Sequence, residues 1–193
     1  KTTAHLRAQI LYYIGENLSA RKNEFAGRIV NMSGCEKEFA EQEVASSIDR
    51  LFTYAAWADK YDGSAHGVPI RGVALAMNEP VGVIGIICPD ESPLLGLISL
   101  LAPALAMGNT CVLIPSVSSP NIAANFYQVL ETSDVPAGVL NIITGEEEAF
   151  VKTLSEHHDI AAIWYFGAGN NSGEIERFST ASLKRTWVNN NKT

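Results

Sequence analysis

The sequence is poor in the features that mark a membrane or nucleic-acid protein. No run of 18 apolar residues occurs. Residues 92–107 come nearest, but the stretch is too short to span a bilayer and holds Pro93 and Pro103. Charged residues make up only 18% of the chain, and acids outnumber bases to give a formal charge of −7. Phosphate backbones are bound by clustered Lys and Arg, so neither nucleic acid nor a membrane is an expected partner. No basic segment followed by an apolar stretch opens the chain, so a secretory signal is not expected. Cysteine is scarce: Cys35, Cys88 and Cys111 are odd in number and lack metal-ligand spacing. Cys88 and Cys111 fall in strand-like runs, where a free thiol serves as a small buried hydrophobe. Reduced thiols favour the cytoplasm.

What is present fits a soluble α/β protein. The 193 residues, 47% hydrophobic, suffice for one compact domain burying roughly 70% of its unfolded surface. Leu6, Ile10, Ile14 and Leu18 recur at helical spacing in a first segment that runs to "NMSG". A second helix is predicted from about Glu36 to Lys60, on the stripe of Val44, Ile48, Leu51, Phe52 and Ala55. It stops at "YDGSAHG", and "VPIRGVALAMNEP" then reads as an extended ribbon. From Val81 strands and helices alternate. "VGVIGIIC", "TCVLI", "GVLNIIT", "IAAIWYF" and "KRTWVN" are the strands, and the first is apolar enough to be covered on both faces. Pro93 suits the first turn of the helix after the first strand, Pro103 predicts a kink in it, and Ser119 is the expected cap of the next. The pattern predicts a Rossmann-like, mainly parallel five-stranded sheet with flanking helices, preceded by two N-terminal helices and a β-ribbon.

Ligands of such sheets bind outside the carboxyl ends of the strands, which directs attention to residues 89–92, 115–118, 145–147 and 167–173. "GAGNNSG" has the best anion-binding character, because backbone N–H groups before a helix attract phosphate, although it is not G-x-G-x-x-G. A plain tight turn is the competing reading. Glu146, Glu147 and Glu148 suit a helix N-terminus, where the dipole favours acids. His157 and His158 diverge on a helix and read as solvated helix-end residues, and His5 and His66 are isolated. Asp90 and Glu91 read as a surface turn. Ser116, Ser118 and Ser119 have no Asp or His nearby in the sequence to activate them, and Trp57 and Tyr61 read as packing residues.

The stretches "LFTYAAWADKYDG", "NEPVGVIGIICPDESPLL", "LAPALAMGNTCVLIPS", "VPAGVLNIITG" and "SLKRTWV" together resemble the aldehyde dehydrogenase superfamily, in its order and spacing. The resemblance implies N-terminal helices packed on the NAD-binding-type domain over 1–66, an oligomerisation ribbon over 67–80, and a Rossmann-like NAD(P)-binding-type domain over 81–193. The resemblance further implies that these residues hold none of the family's catalytic domain, and none of the cysteines falls at the family's nucleophile motif.

The functional positions depart from that pattern. Where the family reads P-W-N-F-P, this chain reads "PDESP", which puts Glu91 at the oxyanion-stabilising Asn. Loss of one such donor costs about 10²–10³ in rate. Family members read K-P-[AS]-E, whose Lys and Glu hold the cofactor ribose. Here "IPSV" places Ile114 and Val117 there, and each charge-assisted hydrogen bond lost is worth about 1.5–3 kcal/mol. In "FGAGNNSG", Phe166 and Gly173 match the family's F-T-G-S-x-x-x-G turn, while Ala168 and Gly169 replace its Gly and Ser. Phe166, Gly167 and Gly173 could retain a residual grip on a nucleotide. The general-base motif E-L-G-G aligns with "NNNK", placing Asn189 at the glutamate, and an amide cannot take a proton.

These departures imply a catalytically silent pseudoenzyme module with a structural, assembly or partner-binding role. It is most similar to the degenerate second unit of the family-16 aldehyde dehydrogenases. No cofactor is expected, or NAD(P) only weakly. A second copy, a sister aldehyde dehydrogenase unit or another protein is the expected partner. Two alternatives stay open: an NAD(P)-binding part of an active enzyme whose catalytic Cys lies beyond Thr193, and a module holding a nucleotide through residues 167–173 alone.

Overall fold

The structure is a computed structural model that describes residues 2–61 and 63–190. Asp62 of the turn signal and the last two residues of "NNNK" lie outside the described residues. Three helices open the chain: α1 (Ala4–Ala20), α2 (Lys22–Ser33) and α3 (Lys37–Ala58). The expected count of two is corrected by a break at Arg21, whose backbone (φ −105°, ψ 14°) ends one helix and begins the next. The Arg21 guanidinium holds the corner through two bonds to Glu24 and one to Gln128 on a later helix. Leu11, Ile14, Leu18, Phe25, Ile29, Val44 and Leu51 of the three helices are buried in one core.

Next comes an antiparallel ribbon, β1 (Ser64–Gly67) and β2 (Val73–Ala76), paired from Ser64↔Ala76 to Gly67↔Val73. It begins ahead of residue 67, because "SAHG" pairs through its backbone and carries no apolar alternation to announce it. The remaining elements are β3 (Val83–Ile87), α4 (Pro93–Ala106), β4 (Thr110–Ile114), α5 (Pro120–Glu131), β5 (Leu140–Ile142), α6 (Glu147–Glu156), β6 (Ile160–Tyr165), α7 (Ser172–Ser179) and β7 (Arg185–Val188). The five strands form one parallel sheet in the order β5-β4-β3-β6-β7. Pro93 sits in the first turn of α4, which continues through Pro103.

Side chains of the sheet alternate between two apolar clusters. Ile84, Ile86, Cys111, Leu113 and Ala162 face the core shared with α1–α5. Ile87, Ile114, Ile163 and Tyr165 face a second cluster with Val151 and Leu154 of α6 and Ile175 of α7. The order in which strands are added reverses between β3 and β6, so the crevice of the fold lies beyond the carboxyl ends of those strands. Phe166 N–H donates to the Ile87 carbonyl and closes the two ends against each other.

Candidate functional site at the carboxyl edge of the sheet

Three loops line this edge, and the sequence dictates how each is held. After β3, residues 88–92 turn into α4, whose first amides would be unpaired without a cap. Glu43 of α3 supplies it: its Oε1 accepts from Leu94 N–H (2.8 Å) and Leu95 N–H (3.1 Å). This carboxyl is buried, and desolvation outweighs those two bonds to raise its pKa above the ordinary value. Glu91 is exposed in the same loop, in keeping with a surface turn.

The second loop joins β4 to α5. Ile114, at the end of β4, is 1% exposed and belongs to the second apolar cluster, whereas Val117 is 39% exposed. The three serines gain the acid that their local sequence lacks. Asp90, from the first loop, accepts from Ser116 Oγ (2.6 Å), Ser118 N–H (3.1 Å) and Ser118 Oγ (3.2 Å). Burial opposes its charge, but these bonds outweigh it and hold the carboxyl below the usual range. No His completes a nucleophilic relay in these contacts, so the cluster ties two loops together. Ser119 begins α5 without a side-chain cap; instead its N–H donates to Ser116 Oγ.

The third loop, residues 166–171, joins β6 to α7. Gly167 is buried beneath it, Phe166 is half-buried, and Ala168 and Gly173 are exposed. Asn189, just past β7, donates through Nδ2 to the Gly167 carbonyl (3.3 Å) and accepts from Ser172 Oγ (3.4 Å). Glu147 also belongs here, and sequence reasoning missed it. Its neighbours Glu146 and Glu148 are exposed as expected, but Glu147 turns inward and is 7% exposed. Its carboxylate accepts from Tyr165 Oη (2.5 Å), Asn171 Nδ2 (2.8 Å) and Gly169 N–H (3.5 Å). The Gly169 carbonyl also faces the Tyr165 hydroxyl and shares its single proton with Glu147. Burial, reinforced by the Glu147 bond, pushes that hydroxyl well above the usual phenol range.

The structure thus brings Glu91, Ile114, Val117, Phe166, Gly167, Ala168, Gly169 and Asn189 to one edge, with Gly173 in the first turn of α7. Other residues stay away from it. His157 and His158 are exposed at the end of α6, and no group of three or more metal-ligating side chains occurs among the described residues. Cys88 and Cys111 are buried free thiols, and desolvation pushes Cys111 up to about 12, too high for a ready nucleophile. Trp57 and Tyr61 are not core packing residues: both are exposed, beside Tyr54, Pro103 and Met107 in an apolar surface groove. No described helix is long and apolar enough to cross a membrane.

Residues 1–190 match the aldehyde dehydrogenase family. Hydroxyisobutyraldehyde dehydrogenase of Mycolicibacterium austroafricanum is 32% identical over 177 residues, which cover 91% of this chain and 35% of that protein. A putative aldehyde dehydrogenase from Burkholderia cenocepacia superposes with a TM-score of 0.92 at 27% identity, over 96% of this chain and 38% of that one. PnpE, solved in complex with nicotinamide adenine dinucleotide, gives the same TM-score at 25% identity, over 96% of this chain and 38% of that one. The chain therefore spans little more than a third of the length of these relatives. On sequence and fold alike, this chain belongs to the aldehyde dehydrogenase family.

Proposed function

We propose that this chain is a catalytically silent module of an aldehyde-dehydrogenase-like protein and acts through assembly or partner binding. The observation that carries the reading is Ile114. It stands where the resemblance puts the ribose-binding lysine, yet it is 1% exposed and packs in the second apolar cluster. A strand end that forms part of the core offers no hydrogen bond to a ribose. Val117, at the companion position, offers none either. Glu91 presents a carboxylate where an oxyanion would need a donor, and Asn189 has no proton-accepting chemistry comparable to glutamate. These residues do not fit a dinucleotide held in the family's manner.

The ribbon supports the positive half of the reading. Ile70, Val73, Leu75 and Met77 are each between 67% and 74% exposed, an apolar strip that solvated monomers rarely display. A second copy or a sister aldehyde dehydrogenase unit fits it. Free, buried Cys88 and Cys111 suit a cytoplasmic setting. The intact scaffold shared with the NAD complex of PnpE favours one rival, the NAD(P)-binding part of an active dehydrogenase.

Thermal melting with NAD separates the two. A ligand present at a hundred times its Kd stabilises by about 2.7 kcal/mol. For a chain of this size that raises Tm by roughly 5–11 °C. The silent module shows no rise at millimolar NAD; a rise of several degrees establishes the rival. Sedimentation of a Leu75→Lys, Met77→Lys variant tests the ribbon: a smaller species than the parent supports assembly through it, and an unchanged one refutes it.

A further inference from the structure

The turn from residue 167 to residue 171 carries the composition of an anion site, yet its donors are already taken. Glu147 occupies them. Its Oε1 lies 2.8 Å from Asn171 Nδ2 and 2.5 Å from Tyr165 Oη, and its Oε2 faces the Gly169 N–H at 3.5 Å. The two glycines make room for it. A Cβ at Gly167 would collide with Glu147 Oε2, and one at Gly169 would lie 2.7 Å from Oε1. A side chain at Gly167 would have to displace the Glu147 carboxylate, and one at Gly169 would have to displace both that carboxylate and the Asn171 amide, whose Nδ2 would lie 2.6 Å away.

The environment of Glu147 is that of a bound anion. Its side chain comes from α6, across the turn, and not from the turn itself. No ion pair within 4.0 Å neutralises it among the described residues. A backbone N–H, an amide and a phenol hold it, the kinds of donor that hold phosphate before a helix. A second anion brought to the same donors would meet this charge in a partly desolvated setting, where repulsion is weakly screened.

We propose that Glu147 is a built-in anion that fills the phosphate turn and sets the specificity of the cleft by excluding phosphorylated ligands. The proposal rests on the reading of the cleft as silent and names the residue responsible. It predicts that the turn regains anion binding when Glu147 is removed, even though Ile114 and Val117 stay in place. Exclusion has two parts, occupied volume and charge, and they are separable. Glu147→Ala removes both, while Glu147→Gln keeps the volume and removes the charge.

Inorganic pyrophosphate and NAD are the probes, titrated into the chain and both variants by calorimetry and by the amide shift of Gly169. The parent shows no saturable change with either probe at millimolar concentration. Glu147→Ala binds pyrophosphate at least tenfold more tightly than the parent, with a saturable Gly169 shift, and Glu147→Gln falls between. A folded Glu147→Ala that binds no better than the parent overturns the proposal. Should that variant not fold, Glu147→Gln decides: a gain supports the role of the charge, and no gain overturns it. Tight NAD binding by the parent refutes the silent cleft itself. A silent parent with silent, folded variants refutes only the role of Glu147 and leaves Ile114 and Val117 as the cause.

Discussion

Replacing Ile114 by alanine tests whether the mouth of the cleft is core. Truncation removes about three methylene equivalents, each worth about 0.8 kcal/mol on burial, so the transfer contribution alone is about 2.4 kcal/mol. Ile114 is 1% exposed and sits among Ile87, Val151, Ile163 and Ile175, whose positions are fixed by two strands and two helices. That surround relaxes only partly, and the residual cavity brings the expected cost to about 3 kcal/mol, inside the usual range of about 2–5 for such truncations. Val117→Ala is the internal control. Its side chain is already 39% exposed, so its truncation costs under about 1 kcal/mol. Urea unfolding at constant m-value measures both, and the cost at Ile114 appears as a Tm roughly 6–12 °C below that of the parent. Equal, small costs at the two positions would refute the argument, because they would mean that the end of β4 is an open site lined by an incidental isoleucine.

The buried cap on α4 gives a pH signature. The Glu43 pKa is raised above 4.5 by desolvation, so its contribution to stability is fully present below pH 4.5 and is lost as pH rises through the folded-state value. Glu43→Gln keeps an acceptor for the Leu94 and Leu95 amides and carries no charge, so its stability relative to the parent increases from pH 4.5 to neutrality. Urea melts showing a pH-independent difference contradict this. Lys184 is buried and donates to the His157 carbonyl (2.6 Å) and the Ile160 carbonyl (2.7 Å), tying the end of α6 to the start of β6. Lys184→Met removes the donor shared by the two carbonyls and costs about 1–3 kcal/mol in the same assay, whereas a loss below about 0.5 kcal/mol counts against that role.

The sheet was legible because its strands are short, nearly continuous apolar runs separated by helical lengths. Such runs leave little choice but a parallel sheet covered on both faces. Where the expectation failed, the local pattern was not enough. The stripe of Leu6, Ile10, Ile14 and Leu18 does not announce the break at Arg21, which is held by Glu24 in the next turn and by Gln128, 107 residues away in the chain. The first ribbon strand, "SAHG", pairs by backbone alone and gives no alternation to read. Ser116 and Ser118 lack a local acid, yet Asp90 reaches both across a crossover of 26 and 28 residues.

The site was half legible. Ile114, Val117, Glu91 and Asn189 came from comparing this chain with the family's motifs, and the fold brings them to the same edge. Glu147 could not be found that way. Acidic residues at a helix start are ordinary, and three in a row look alike until one of them is seen to turn inward. The only available signal was the pair of glycines at 167 and 169, which marks a close approach without naming what approaches.

Calorimetric titration of this chain with NAD and NADP tests the central claim most directly. No binding heat is expected up to millimolar cofactor, because core, carboxylates and amide stand where ribose and phosphate contacts would be needed. Saturable binding in the micromolar range would contradict it and return the chain to the working dehydrogenases of its family.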